Sequence, residues 1–326
     1  MLKIVLNSVR SMAVVAGAVF ATQVLAQGSA YPVKPIRIIV GSPAGGGGDA
    51  IARLVTQSAA TAIGQPFIIE NRVGAGGNIG ADLVAKSAPD GYTLLLAYTG
   101  HVINPGLYKK LPFDTIKDFT PVMMLARNQS MLIVRPGLKA RTLPEFLALA
   151  REAPGKLTIA AMPGSSQHLA GELMKHVANV DILTVPYRGN SAAFNDILGG
   201  QIDAMFSTVS VAGPFIKSGK VKAIANAGSS RSSVLPEVPT VAESGLTGFA
   251  SEGWYGVMAP AGTPKAVIEK LQAAFSSALE SASVKQALGV AGNEPANMPP
   301  IEFDRFIRSE IPRWAEVIRY AKIEQE

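Results

Sequence analysis

The residues best suited to chemistry in this sequence lie in turns between an apolar run and a helical pattern. The turn Gly45 to Gly48 follows the apolar run Ile36 to Val40 and precedes Asp49, which we expect to be the N-cap of a helix. Glycines let the backbone approach a bound group, and unpaired amides at a helix start favour an anion. Asp49 and Ala50 stand where a P-loop needs Lys and Ser or Thr. The turn therefore predicts a site for a small acid, and a purely structural turn stays open as the alternative.

Hydroxyl and imidazole groups come together in a second turn, GSSQH, at residues 164–168. Ser165 and Ser166 could cap a helix or bind a ligand oxygen. Ser166 and His168 could instead belong to a serine hydrolase, although a nucleophile elbow needs glycine where His168 stands. His168 and His176 are eight residues apart and not the four that zinc ligands on one helix face require, so no metal is expected.

Three further segments place polar groups directly after apolar runs. Tyr98 to His101 follow one run, and Tyr187 to Gly189 follow another. In the second segment the guanidinium of Arg188 could bind a carboxylate through two hydrogen bonds, with a surface ion pair as the alternative. The third segment, Gly74 to Gly80, is rich in glycine but has Ile79 in place of the third glycine of a dinucleotide fingerprint, so we expect no cofactor.

The elements that position these turns alternate strand with helix, which indicates an α/β fold with parallel sheets. Residues 111–122 are predicted to be a proline-punctuated connection, and the chain is expected to cross to a second unit near Arg127. An amphipathic helix from Thr263 to Ser281 and a helix after Pro300 are expected to pack on the core. The predicted strands are Ile36–Val40, Phe67–Asn71, Tyr92–Ala97, Met131–Pro136, Leu157–Ala161, Ile182–Val185, Ile202–Ser207 and residues 221–227.

The first 26 of the 326 residues have the features of a signal peptide: Lys3 and Arg10, a short apolar core, and small residues ending at Ala26. Cleavage there lowers the net charge from +6 to +4, because Lys3 and Arg10 are removed. The remaining positive charge is scattered along the sequence, so nucleic acid is not an expected partner. The sequence has no cysteine, which excludes a lipid attachment site at the cleavage point. We expect a soluble exported protein.

With these turns in hand, the sequence resembles the periplasmic solute-binding receptors of tripartite tricarboxylate transporters, also called Bug receptors. The resemblance extends over nearly the whole mature chain and rests on many motifs in one order. They include PAGGGGD, ENRVGAGGNIGADLVAKSAPDGYTLLLA, INPGLYKKLPFD, GSSQHLAGE, VPYRG, GGQIDAMF, RSSVLPEVPTVAESG, WYGVMAPAGTP and EIPRW.

The resemblance implies a type II periplasmic binding protein fold, in which each of two lobes has a mainly parallel sheet flanked by helices. A hinge joins the lobes and the ligand lies in the cleft between them. Residues 27–126 and 252–326 would form the first lobe, and residues 127–251 the second, after the signal peptide of residues 1–26. The protein would be a periplasmic monomer that delivers a di- or tricarboxylate, an aromatic acid or an amino acid to a membrane permease, with no catalysis and no cofactor.

The resemblance also implies that backbone amides and hydroxyls from the turns of both lobes receive the ligand carboxylate. Two departures from the family pattern concern the pocket wall: Gly41 to Ala44 lack the usual aromatic residue and paired prolines, and Ala192 replaces a proline. The candidate ligand-binding residues are Ser42, Ala44, Gly45, Gly46, Gly76, Gly77, Asn78, Tyr98, Thr99, Gly100, Gly164, Ser165, Ser166, His168, Tyr187, Arg188, Gly189 and Asp203.

Two other functions stay open at the level of sequence. A periplasmic serine hydrolase would use Ser166 and His168, and a ligand sensor would act through a membrane partner instead of taking up its ligand. Backbone amides can bind any carboxylate, so the identity of the acid depends on the far end of the pocket.

Overall fold

The computed structural model describes residues 31–187 and 189–325, which form two sheets flanked by helices. The predicted signal peptide and Arg188 lie outside the described residues. The strands are β1 (Ile36–Val40), β2 (Phe67–Asn71), β3 (Thr93–Tyr98), β4 (Phe119–Asn128), β5 (Ser130–Val134), β6 (Thr158–Ala161), β7 (Leu183–Pro186), β8 (Ala204–Thr208), β9 (Lys222–Asn226), β10 (Gly253–Pro260) and β11 (Asn293–Met298). The helices are α1 (Gly47–Ile63), α2 (Asn78–Ala85), α3 (Gly100–Leu107), α4 (Leu143–Glu152), α5 (Ser166–Ala178), α6 (Asn190–Leu198), α7 (Val209–Lys217), α8 (Lys265–Glu280), α9 (Ala282–Val290) and α10 (Pro300–Tyr320).

The first sheet has the strand order β11-β4-β10-β3-β1-β2. The apolar run of β1 is buried because helices cover both faces of the sheet: Ile36, Ile38 and Ile39 have no exposed surface. Ile38 packs with α1 and α8 on one face, and Ile39 packs with α2, α3 and α10 on the other. These contacts confirm the α/β class and the interior position of the first strand.

This sheet is mixed: β1, β2, β3 and β4 run in one direction, and β10 and β11 run in the other. β1 is parallel to β2 and β3, whereas β10 is antiparallel to β3 and β4. The chain returns from the second sheet at the edge where β3 and β4 end, because Gly253 pairs with Asn128 and Tyr255 with Tyr98. A strand that enters at that edge must run in the opposite direction. β4 itself begins inside the predicted connection, and neither α9 nor β11 was predicted.

The second sheet has the strand order β7-β6-β8-β5-β9, with β6 parallel to β7 and β8 and with β5 antiparallel to β8 and β9. The chain enters it through Gln129, between β4 and β5, and leaves it after β9. Side chains connect the two crossings: Arg127 Nη1 lies 3.1 Å from Glu252 Oε2 and donates to Ser229 Oγ at 3.3 Å. Arg127 is near the end of β4, and the lobe boundaries predicted from the sequence stay a prediction.

The C-terminal helix α10 contacts both halves of the molecule, as the predicted packing role requires. Phe303 and Trp314 are fully buried in an apolar cluster that continues from the first sheet to residues of the second. Arg313 donates to the carbonyl oxygen of Ala250, and the rings of Tyr320 and His176 on α5 have centroids 4.1 Å apart. The helix therefore packs on β4 and α3 of the first unit and on α5 of the second. None of the described helices combines the length and apolar character needed to cross a bilayer.

The backbone directly after β1 lies close to the glycine-rich segment Gly74 to Gly80, and this contact generates a prediction about stability. A Cβ on Gly41 would lie 2.8 Å from Gly77 Cα, a backbone atom that cannot move aside locally. We expect Gly41→Ala to lower the free energy of unfolding by about 1–3 kcal/mol, as overpacking does. Gly213→Ala is the matched control, because no atom lies within 4 Å of its Cβ position in α7. Urea denaturation that gave equal stability for Gly41→Ala and the wild type would contradict the close approach.

Candidate functional site

A cavity of about 340 Å³ lies between the two sheets, at the ends of β3, β4 and β8 and the start of β10. Its volume is at the small end of the range for ligand pockets. Both sheets contribute residues to its wall. The lining residues are Gly76, Tyr98, Thr99, Gly100, Ile103, Asn104, Asn128, Gly164, Ser165, Ser166, Gln167, Thr208, Gly253, Trp254 and Tyr255.

No lining residue among the described parts of the chain carries a charged side chain. The electrostatic character of the cavity comes instead from helix starts: Gly100 begins α3, Ser166 begins α5, and Thr208 is the N-cap of α7. The first amides of a helix have no intrahelical acceptor, and the helix dipole is positive at that end. Three such ends around one cavity favour an anion.

The glycine-rich segment Gly74 to Gly80, here called the second glycine turn, forms one wall of the cavity through Gly76. Two side chains hold it in place. The Gly76 carbonyl oxygen accepts from the Tyr98 hydroxyl at 2.7 Å and from Asn104 Nδ2 at 3.1 Å, and Asn104 Nδ2 also donates to Asn78 Oδ1 at 2.7 Å. Burial raises the pKa of Tyr98 to about 12, so its hydroxyl stays a donor at neutral pH. Gly77 has a φ of 93°, and a Cβ there would meet the Tyr98 hydroxyl. Glycine is therefore required at this position.

The serine turn, Gly164 to His168, forms the opposite wall, and its hydrogen bonds do not pair Ser166 with His168. Ser165 Oγ caps α5 by accepting from the amide of His168 at 3.1 Å, and the amide of Gly164 donates to His168 Nδ1 at 3.3 Å. Ser166 Oγ donates to Gln167 Oε1 at 3.2 Å and not to the imidazole. Because a nucleophile needs a hydrogen-bonded base, Ser166 and His168 do not form a catalytic pair.

The first glycine turn does not line the cavity. Tyr255, which does, lies against it, since a Cβ on Gly47 would come within 2.7 Å of the Tyr255 hydroxyl. Of the candidate residues, Ser42, Ala44, Gly45 and Gly46 belong to this turn, behind the wall that Tyr255 forms.

The sequence suggested that Asp49 is the N-cap of α1, and this prediction was wrong. The helix begins at Gly47, so Gly46 is the N-cap and Asp49 lies in the first turn. The buried carboxylate instead accepts from the amide of Gly45, from Arg53 and from Asn71, all at 2.9 to 3.0 Å. The hydrogen bond from Arg53 is the main cause that lowers the pKa of Asp49 to about 2. Asp49 therefore stabilises the turn as an ionised group.

The candidates on the far side of the second sheet lie away from the cavity. Asp203 precedes β8, whereas Thr208 ends that strand at the cavity, so the two residues are at opposite edges of the sheet. The Asp203 carboxylate accepts from Arg135 Nε at 2.8 Å and from the amide of Thr158 at 2.9 Å. These contacts hold β6, β8 and Arg135 together, and a role of Asp203 in ligand binding stays a prediction.

The Tyr-Arg-Gly turn is only partly described. The Tyr187 hydroxyl donates to Asp196 Oδ2 on α6 at 2.5 Å, and burial together with this bond raises the pKa of Tyr187 to about 12. Gly189 is the N-cap of α6 in an extended conformation. Neither residue lines the cavity, and Arg188 is outside the described residues.

Several lining residues were not predicted from the sequence. Thr208 could have been found, because it directly follows the predicted strand Ile202–Ser207 at the edge where ligands bind. Asn104 could not, since its position inside α3 and its bond to Gly76 depend on the packing of that helix. Trp254 and Tyr255 reach the cavity only because β10 runs antiparallel to its neighbours.

Two α/β units that share a cavity with an anion-favouring wall define a bilobal solute-binding protein, and comparisons with known proteins identify its family. Residues 51–323 match the profile described as "Tripartite tricarboxylate transporter family receptor", so the chain belongs to this family of periplasmic solute-binding receptors. The family binds solutes and is not enzymatic. In the described part of the chain, no group of three or more His, Asp or Glu side chains could hold a metal ion.

Three similar proteins illustrate the relationship. Protein BugT of Bordetella pertussis is 36% identical over 319 residues, which cover 96% of this chain and 98% of BugT. An R. palustris protein solved with adipate is 32% identical with a TM-score of 0.75, covering 91% of this chain and 100% of that one. MatC from Rhodopseudomonas palustris, solved with bound malate, is 36% identical with a TM-score of 0.71, covering 88% and 100% of the two chains.

His101, proposed from the sequence as a polar contact, is buried beneath the cavity and generates a prediction about pH. Its Nε2 lies 3.2 Å from the Thr115 carbonyl oxygen, and burial lowers its pKa from 6.5 to about 4. Between these values the unfolded chain binds the proton that the folded protein does not. The free energy of unfolding should therefore fall as the pH decreases from about 6.5 to about 4, by about 1.4 kcal/mol per pH unit.

The variant His101→Gln keeps a donor for Thr115 but does not titrate. Between pH 7 and pH 4.5 the wild type should lose about 2–3 kcal/mol more stability than this variant. Urea denaturation at the two pH values measures the difference. His168, whose pKa is also lowered by burial, contributes equally to both proteins. Equal losses would show that His101 carries no charge penalty in the fold.

Proposed function

We propose that this protein captures a small carboxylate in the interlobe cavity and delivers it to the membrane permease of a tripartite tricarboxylate-type transporter. The observation that carries the proposal is the cavity itself, in which three helix starts from both sheets surround a space with no charged side chain among the described residues. The adipate and malate bound by two solved relatives support the same ligand class.

The charge of the cavity favours ligands with one or two carboxylates over tricarboxylates. Each helix start contributes the equivalent of about half an elementary charge, so three of them contribute about +1.5. Among the described residues, no positively charged side chain lines the cavity to compensate a third carboxylate. Ile103, Trp254 and Tyr255 form an apolar part of the wall that suits an uncharged ligand body.

Binding should require the carboxylates and not only the shape of the ligand. We expect titration calorimetry to detect binding of adipate or malate and no binding of adipamide, in which neutral amides replace both carboxylates. Citrate should bind more weakly than either dicarboxylate. If adipamide bound as well as adipate, or if no carboxylate bound, the proposed function would be wrong.

Two variants of Ser166, measured in the same titrations, distinguish the contribution of its backbone amide to ligand affinity from that of its hydroxyl. Proline is tolerated as the first residue of a helix, and Ser165 already has the extended conformation that precedes proline, with a ψ of 158°. Ser166→Pro should remove the amide donor while keeping α5, whereas Ser166→Ala removes only the hydroxyl. Loss of a hydrogen bond to a charged ligand, about 1.5–3 kcal/mol, should weaken binding of Ser166→Pro at least about tenfold relative to Ser166→Ala.

We also propose export of the protein and cleavage of residues 1–26, since a receptor of this family functions in the periplasm. The mature chain should begin at Gln27. Intact-mass measurement of the protein from the soluble periplasmic fraction tests this expectation. Recovery of the chain with residues 1–26 still attached would contradict it.

A further inference from the structure

A buried polar cluster lies directly behind the serine turn and outside the lining of the cavity. Glu172 Oε1 accepts from the Thr184 hydroxyl at 2.6 Å and lies 2.7 Å from Lys175 Nζ. The same oxygen lies 3.8 Å from His168 Nε2. Glu172 and His168 are 5% and 9% exposed. Glu172, Lys175 and Thr184 do not line the cavity, so they could influence a bound ligand only indirectly. His168 connects this cluster to the serine turn, because its ring accepts a hydrogen bond from Gly164.

The hydrogen bonds of His168 determine which ring nitrogen carries its proton. Nδ1 faces the amide of Gly164 at 3.3 Å, and because a backbone amide can only donate, Nδ1 must be unprotonated. Nε2 carries the proton and faces the Glu172 carboxylate. Burial lowers the pKa of His168, which keeps the ring neutral near pH 7.

His168 makes two hydrogen bonds to the cavity wall. Its backbone amide is capped by Ser165 Oγ, and its ring accepts from Gly164, whose φ of 74° is in the left-handed region. Gly164 and Ser165 both line the cavity, and Ser166 follows them at the start of α5. The ring thereby fixes the conformation of the turn that presents the first amides of α5.

We propose that neutral His168 is a positioning residue that holds the turn Gly164 to Ser166 in its ligand-binding conformation, and that protonation of His168 releases this turn and weakens ligand binding in acid. The inference rests on the proposed function, because it concerns ligand affinity in the same cavity. His168 itself does not contact the cavity, although the sequence suggested that it would.

Protonation of the His168 ring makes its contact with the amide of Gly164 repulsive and leaves the hydrogen bond from the His168 backbone amide to Ser165 intact. A proton on Nδ1 would oppose the amide of Gly164, donor against donor, so this hydrogen bond would be lost. The imidazolium would be stabilised by Glu172, whereas Lys175 opposes it. β7 contributes the uncharged Thr184 to the cluster. In the described residues, β6, β8 and α10 supply no charged group that shifts the pKa of His168.

The test compares adipate and malate affinities by calorimetry for the wild type and three variants, at pH 7.5 and at an acidic pH where nuclear magnetic resonance shows the His168 ring to be protonated. His168→Asn places an amide oxygen near the position of Nδ1 and cannot titrate, so it should bind with little pH dependence beyond that of the ligand. His168→Leu removes the acceptor and should bind weakly at both pH values. His176→Asn, on the same helix but away from the turn, is the control and should follow the wild type.

Relative to His168→Asn, the wild type should lose about tenfold more affinity between pH 7.5 and the pH at which His168 is protonated, as expected for one hydrogen bond to a charged ligand. Identical pH profiles for the wild type and His168→Asn would overturn the inference while leaving the proposed function intact. A wild type that binds no carboxylate at pH 7.5 would instead overturn the proposed function.

A measurement without ligand tests the same link. In nuclear magnetic resonance spectra of the ligand-free protein, the amide signal of Gly164 should move with the titration of the His168 ring. The Gly164 signal in His168→Asn should stay in place over the same pH range. A Gly164 signal that did not respond to protonation of His168 in the wild type would contradict the proposed role, whatever the binding results.

Discussion

No charged side chain among the described residues lines the cavity, so binding of an anion there would depend on several helix starts that meet at one point, and the two sheets position these helix starts. A helix dipole acts over about one turn, so a single start could not compensate a dicarboxylate. The two sheets solve the problem by ending β3 and β8 at a shared cavity, where α3 and α7 begin, while α5 reaches it through the turn after β6. Recognition therefore depends on strand direction in both sheets.

The crossings between the sheets join the two units that contribute these helix starts. Arg127 and Glu252 connect the two crossings, and Gln129 lies buried between β4 and β5. The helix α10 adds a third connection through Arg313 and Trp314, within an apolar cluster that includes residues of both sheets. Neutral polar walls, such as the Tyr98, Asn104 and Gly76 group, then hold the turns without bringing a competing charge to the ligand.

Ionised groups nevertheless lie behind the residues that line the cavity. Asp49 stabilises the first glycine turn, and Glu172 acts on the serine turn through His168. Because these carboxylates are paired with Arg53 and Lys175, they can be buried close to an anion site without repelling the ligand strongly. Asp49 and Glu172 hold the conformation of the turns and do not contact the cavity themselves. A change in their protonation, or in that of His168, would therefore affect a ligand only by moving the backbone of a turn.

The sequence by itself determined the α/β class, the position of β1, the glycine and serine turns, the family and the expected kind of ligand. These features depend on local patterns: apolar runs, glycine at positive φ as at Gly77, and a hydroxyl such as that of Ser165 at a helix start. Only the tertiary structure decided which turns reach the ligand cavity. Tyr255 separates the first glycine turn from it, and Asp203 lies at the opposite edge from Thr208. The physical reason is that the direction of β10 and the edge at which each residue lies are set by pairing between strands distant in sequence, which no local pattern encodes.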